Sequence, residues 1–283
     1  MRKYSLSFLT IMACLFIQPI FGQTTNLPEG NLFIIGGGER PDSLMIDLLK
    51  TAQLNAKDYI VVLPMSGAEP DTSFFYFKEQ MSTLCKNTIA NLNFTKEKAH
   101  DKTWLDSLRK AKLIFITGGD QSRFMSIVLN TPIYTAIHEA YQKGATISGT
   151  SAGAAVMSKF MITGNQLVGD TSYSATFDRI WSNNIEFSQG LGLLDSIIID
   201  QHFIVRSRYN RLLSALYAYP NFTCIGIDES TAIIFHKKRI TVAGKSQVLV
   251  FSNMEDQKAV KGLIKFSDIH LSIYTSGDSF LCK

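Results

Sequence analysis

Three short runs carry no polar face at all: Leu32-Phe33-Ile34-Ile35, Tyr59-Ile60-Val61-Val62-Leu63 and Leu113-Ile114-Phe115-Ile116. A strand with one wet face alternates apolar and polar residues, so runs like these must be covered on both sides. Between and after them lie amphipathic segments with helical spacing, at 42–53, 72–85, 103–109, 121–129 and 132–143. Pro132 stands where a helix tolerates proline, in the first turn. Strands alternating with helices of this length predict an α/β fold, a mainly parallel sheet sandwiched by helices. A weaker strand is expected at 88–94, another at 197–199, and a helix at 207–219. From Thr223 onward the pattern changes to short β runs, at 223–227, 232–235, 240–242, 248–251, 263–266 and 269–274. These predict antiparallel strands at one edge of the sheet. Residues 161–187 are polar and turn-rich without a period, and are expected to form an ordered loop or hairpin.

The amino terminus reads as a targeting segment. Arg2 and Lys3 precede a mostly apolar stretch from Leu6 to Phe21, and Gly22 offers a small residue for cleavage. The expected organisation is a signal peptide over 1–22 and one α/β domain over 23–283, secreted or periplasmic. The chain carries 28 basic and 24 acidic residues. Loss of Arg2 and Lys3 takes the net charge from +4 to about +2. That balance, with no basic run interleaved with aromatics, argues against nucleic acid as a partner. No second apolar span argues for a membrane once the signal is gone. Cys85, Cys224 and Cys282 lie outside the signal and lack metal-ligand spacing, and their pairing is open. There is no Cys-x-x-Cys or His-Glu-x-x-His, so neither metal nor organic cofactor is expected. The oligomeric state is open, a homodimer included.

Gly149-Thr150-Ser151-Ala152-Gly153 follows an apolar segment and is left through small helix formers. This Gly-x-Ser-x-Gly pattern is that of a serine held on a tight strand-to-helix turn, its hydroxyl clear of the backbone. Thr117-Gly118-Gly119-Asp120-Gln121 also follows an apolar strand. Its glycines permit close backbone approach, and Asp120 is suited to cap the next helix. The N–H groups of Gly119 and Ala152 could together stabilise an oxyanion. Gly36-Gly37-Gly38 ends the first strand; it lacks the full dinucleotide pattern and an acidic partner at Leu63.

A serine nucleophile needs a base. Of the histidines, His202 stands at the carboxyl end of Ile197-Ile198-Ile199, in Asp200-Gln201-His202-Phe203. Open α/β sheets bind ligands at that end of their strands, where Ser151 would also lie. Arg206, Arg208 and Arg211 follow closely and suit a substrate carrying carboxylates. Glu229 ends another apolar strand in Gly226-Ile227-Asp228-Glu229-Ser230. It could orient a base, meet a cationic substrate group or cap local backbone.

These blocks, Thr-Gly-Gly-Asp-Gln at 117–121, Gly-Thr-Ser-Ala-Gly-Ala at 149–154, Asp-Gln-His-Phe at 200–203 with its three arginines, and Gly-Ile-Asp-Glu-Ser-Thr-Ala at 226–232, resemble the serine peptidases that include cyanophycinase and dipeptidase E. The arginine-bearing block is closer to cyanophycinase. The resemblance implies a flavodoxin-like or class I glutamine amidotransferase-like fold, Ser151 as nucleophile and His202 as base. It implies an acid between them in sequence, for which Asp170 is the choice and Asp178 the alternate. It also implies a pocket lined by Gln121, Asp200, Gln201, Arg206, Arg208, Arg211 and Glu229. The implied substrate is an aspartyl peptide. In the polymer cyanophycin, a poly-aspartate backbone carries arginine on each β-carboxyl, and cleavage releases β-aspartyl-arginine. The alternatives are a dipeptidase acting on Asp-containing dipeptides and a non-catalytic binder of acidic peptides.

Overall fold

The computed structural model describes residues 27–172 and 174–282, so the expected signal segment 1–22 lies outside it. The first half alternates strands and helices: β1 (Asn31–Ile35), α1 (Asp42–Ala52), β2 (Tyr59–Leu63), α2 (Pro70–Leu84), β3 (Thr88–Asn91), α3 (Lys102–Lys110), β4 (Leu113–Ile116), α4 (Gln121–Val128), α5 (Pro132–Gln142), β5 (Thr146–Thr150) and the single turn α6 (Ala152–Ala155). The helix starts have local causes. Asp101 accepts from the Trp104 amide (3.0 Å) at α3, and Asp120 from Ser122 (2.7 Å) and Arg123 (3.0 Å) at α4. Proline opens α2 and α5.

Five of these strands pair in parallel in the order β3-β2-β4-β5-β1. Alternate residues of the apolar runs feed two separate cores. Leu32, Ile34, Ile114 and Ile116 pack with α4 and α5 on one face. Phe33, Ile35, Leu113 and Phe115 pack with α1 and α2 on the other. That is the expected sheet sandwiched by helices.

The second half adds β6 (Phe160–Gln166), β7 (Ile185–Gln189), β8 (Ile197–Gln201), α7 (Tyr209–Ala218), β9 (Thr223–Ile227), β10 (Thr231–His236), β11 (Arg239–Gly244), β12 (Val248–Glu255), β13 (Lys258–Val260), β14 (Leu263–Lys265), β15 (Asp268–Tyr274) and β16 (Ser279–Leu281). The late strands do not all join one edge. β10, β11 and β16 extend the main sheet beyond β1, while β9, β12 and β15 join β8 in a separate four-stranded sheet. The reason is that β8 and β9 have two apolar faces to cover. Ile197, Ile199, Ile225 and Ile227 pack into the core shared with α4 and α5. Ile198 and Cys224 face Leu212, Ala215 and Leu216 of α7.

The region 161–187 is a hairpin, β6 against β7, carrying a long connection. Asn184 Oδ1 holds its base by accepting from the Leu167 (3.2 Å) and Val168 (2.8 Å) amides. Thr176 Oγ1 donates to the Arg206 carbonyl (2.7 Å) and Asn210 Nδ2 to the Phe177 carbonyl (2.7 Å), docking the connection on the turn after β8. Cys85, Cys224 and Cys282 are free thiols. No helix among the described residues is long and apolar enough to cross a membrane.

Candidate active site

Ser151 leaves β5 at φ 53°, ψ −110°. A non-glycine residue in that conformation is strained and persists only where its surroundings hold it. Its amide donates to the Ile35 carbonyl (3.1 Å), and its own carbonyl accepts from Ala154 (2.9 Å) and Ala155 (3.0 Å). The flanking glycines are obligatory. A Cβ on Gly149 would lie 2.2 Å from the Gly153 oxygen, and one on Gly153 would lie 2.3 Å from the Ile116 oxygen.

The loop after β4 closes against this turn. A Cβ on Gly118 would stand 3.4 Å from Ser151 Cβ, and one on Gly119, at φ 137°, would lie 2.2 Å from the Ser66 carbonyl. Asp120 N donates to that same carbonyl (2.9 Å). Among the described residues, neither the Gly119 nor the Ala152 N–H has an acceptor. Two free backbone donors beside a serine hydroxyl can receive a developing oxyanion.

His202 follows β8 at φ 50°, its amide donating to the Gly36 carbonyl (2.7 Å). Its Nε2 lies 2.8 Å from Ser151 Oγ, and its Nδ1 lies 2.6 Å from Glu229 Oε1. An ionised carboxylate only accepts, so Nδ1 carries the proton and Nε2 is the acceptor facing the serine. Burial lowers the His202 pKa from its ordinary value, the Glu229 hydrogen bond raises it, and Arg206 and Arg208 lower it; the net direction is downward. The imidazole is therefore neutral at pH 7 and able to take a proton. Asp228 steadies the following turn. Its carboxylate accepts from the Ile204 and Val205 amides (both 3.0 Å) and from Ser246 Oγ (2.6 Å).

The glycine loop after β1, which the sequence left without a role, lies on the histidine and glutamate. A Cβ on Gly37 would stand 2.3 Å from His202 Cε1, and one on Gly38 would stand 2.6 Å from Glu229 Oε2.

The acid expected between serine and histidine is not where His202 needs it. Asp170 is exposed and accepts from the Ser172 amide (2.9 Å), a bond that lowers its pKa. Asp178 is also exposed. An aspartate in a polar turn bonds its neighbouring backbone readily, and Glu229 occupies Nδ1 instead. The expected pocket residues divide. Asp200 is fully buried and pairs with Arg211 through Nε (2.8 Å) and Nη2, with Arg208 Nη1 at 3.5 Å. Arg208 Nη1 also donates to the Gln201 carbonyl (2.7 Å), and Gln201 is buried. A buried carboxylate needs such partners, so this group braces the turn rather than facing outward. Gln121 Nε2 donates to the Ile162 (3.0 Å) and Thr163 (2.6 Å) carbonyls, tying α4 to β6. Arg206 remains half-buried, its guanidinium without a hydrogen-bond partner among the described residues.

Another hollow lies at the opposite, amino-terminal end of β8, lined in part by His138, Asp195, Lys237 and Lys238. Its histidine bonds the Leu191 carbonyl through Nε2 (2.7 Å) and stacks on the Tyr134 ring.

A strained serine against a histidine–carboxylate pair, at the strand ends of a helix-covered parallel sheet, defines a serine-type hydrolase. The sequence model for Peptidase family S51 matches residues 32–243, and the chain belongs to that family. It is 32% identical over 230 residues to the cyanophycinase of Geminocystis herdmanii, covering 78% of this chain and 81% of that protein. It is 24% identical over 239 residues to Peptidase E of Pasteurella multocida, covering 80% and 94%. The crystal structure of a peptidase from an acI-B1 Actinobacterium superposes with a TM-score of 0.66 at 20% identity, covering 90% of this chain and 98% of that one.

Proposed function

We propose that this chain is an exported peptidase that cleaves aspartyl peptide bonds, with cyanophycin as its substrate and β-aspartyl-arginine as its product. The relay from Ser151 Oγ through His202 to Glu229 carries the reading. His202 Nε2 takes the serine proton as Oγ attacks the aspartyl carbonyl carbon. The oxyanion forms against the Gly119 and Ala152 N–H groups. His202 then passes the proton to the leaving amine, the C–N bond breaks, and an acyl-serine remains. Water, deprotonated by His202, releases the acyl group. Glu229 holds the imidazole in the productive tautomer and stabilises the imidazolium. Arg206 supports an acidic substrate, because a partly desolvated guanidinium without an acid partner suits a carboxylate. Export rests on Arg2, Lys3 and the apolar stretch that follows them.

The test is incubation of the protein lacking residues 1–22 with cyanophycin, and in parallel with Asp-containing dipeptides, followed by product identification. Release of β-aspartyl-arginine that falls about 10⁵-fold or more in Ser151→Ala is expected. Full activity in that variant would sink the mechanism. Cleavage of dipeptides alone would replace the polymer with a small acidic substrate.

A further inference from the structure

On the loop from β1 to α1, two residues beyond Gly38, stands Arg40. Its side chain reaches across β5. The guanidinium carbon lies 5.5 Å from the centre of the Phe115 ring on β4 and 5.9 Å from that of Phe77 on α2. Its backbone is fixed by Gln80 Nε2, which donates to the Arg40 carbonyl (2.6 Å). Among the described residues the guanidinium has neither an acidic partner nor a hydrogen bond. Burial lowers its pKa from the ordinary value.

Two buried hydroxyls lie past the ends of the neighbouring strands β2 and β4. Thr117 follows the last residue of β4, two positions beyond Phe115. Thr117 is 3% exposed, and its Oγ1 has no hydrogen-bond partner. Ser66 is wholly buried with Oγ likewise unpartnered, and its carbonyl abuts Gly119. Buried polar atoms are seldom left unpaired. Arg40, Ser66 and Thr117 thus follow the carboxyl ends of β1, β2 and β4, the edge of the sheet that carries Ser151, and each has a side chain able to donate. A carboxylate offers acceptors only and would satisfy all three kinds of donor.

We propose that Arg40, with Thr117 and Ser66, forms a subsite for a second carboxylate of the substrate. This rests on the reading of Ser151 as nucleophile. Phe115 belongs to the core under α1 and α2, whereas the strand leading to Arg206 packs into the core on the other face of the main sheet. Arg40 thus lies against a ring on one face of the main sheet, while Arg206 follows a strand that packs on the other. An acidic substrate is held at two points, which sets the position of its carbonyl and discriminates against neutral peptides.

Calorimetric titration tests this without turnover. In the Ser151→Ala background, β-aspartyl-arginine and its diamide are titrated separately. The free acid should bind the more tightly. Arg40→Gln should weaken the acid roughly 10- to 100-fold and leave the diamide within about twofold. Thr117→Val, nearly isosteric, should weaken the acid by about threefold or more. Arg40→Lys should lose less than Arg40→Gln, since the charge stays. The subsite is overturned if Arg40→Gln weakens both ligands alike or neither, or if the parent binds acid and diamide equally or binds neither. Hydrolysis of cyanophycin by the wild-type protein is scored separately, so failure of the proposed activity and failure of the subsite give different results.

Discussion

Gly37→Ala is the sharpest probe of the site, because it adds one methyl group and changes the chemistry of no catalytic side chain. The added Cβ would stand 2.3, 2.5 and 2.9 Å from Cε1, Nε2 and Nδ1 of His202. Ordinary contact begins at 3.4 Å, so the ring or the loop must retreat by about 1 Å. The loop cannot retreat easily. Its Gly36 carbonyl accepts from His202 N (2.7 Å) and its Gly37 carbonyl from Ser230 N (2.9 Å). The ring must therefore move, and the 2.8 Å contact from Nε2 to Ser151 Oγ is lost or bent. A misplacement of about 1 Å at a reacting group costs on the order of 10²-fold in kcat. KM should change little, since Arg206 is untouched. The positive φ of 110° adds a stability cost of about 1–3 kcal/mol, a fall of roughly 2–12 °C in Tm. Gly144→Ala separates the two effects. Gly144 has a similar φ of 98°, but its Cβ would meet Glu29 Cβ at a relaxed 3.8 Å, at the far end of β5. It should lower Tm and leave kcat alone. The assay is dipeptide release under saturating substrate, with the rate of fluorophosphonate labelling of Ser151 and a thermal melt. A Gly37→Ala protein that keeps kcat within about threefold of wild type would refute the account.

Glu229→Gln should lower kcat/KM by roughly 10²- to 10⁴-fold, whereas Asp170→Asn should stay near wild type; equal losses, or a loss only at Asp170, would return the orienting role to the hairpin connection. Because His202 titrates below the ordinary imidazole value of 6.5, the wild-type pH profile should hold from pH 8 past pH 7 and fall only as acid protonates the base. Glu229→Gln removes a hydrogen bond that raises that pKa, so its residual activity should fall at still lower pH. Asp200→Ala leaves Arg211 and Arg208 buried without their carboxylate, a loss of about 3–5 kcal/mol and roughly 6–20 °C in Tm. An unchanged melt with lost substrate affinity would place Asp200 against substrate instead.

The serine turn, the flanking glycines and the alternating core are legible in the chain because each is a local constraint. An all-apolar run has nowhere to go but between two covered faces, and a five-residue reversal with a strained centre tolerates no Cβ at Gly149 or Gly153. The orienting acid is different. Glu229 meets His202 because β8 and β9 pair in parallel with Gln201 opposite Ile227, so residues just past both strand ends fall side by side. Nothing in the composition around Glu229 separates that use from a cap or a substrate contact. Asp170 is the counterexample: its place between serine and histidine along the chain has no bearing on distance in space. Asp200 and Arg206 show the same division within one turn. Spacing brings acids and arginines to the end of β8, but burial decides that Arg208 and Arg211 both converge on Asp200 while Arg206 does not join them. Side-chain chemistry and backbone reach are written residue by residue. Which groups meet depends on strand partners chosen across the whole molecule, where the burial of distant apolar faces outweighs any local preference.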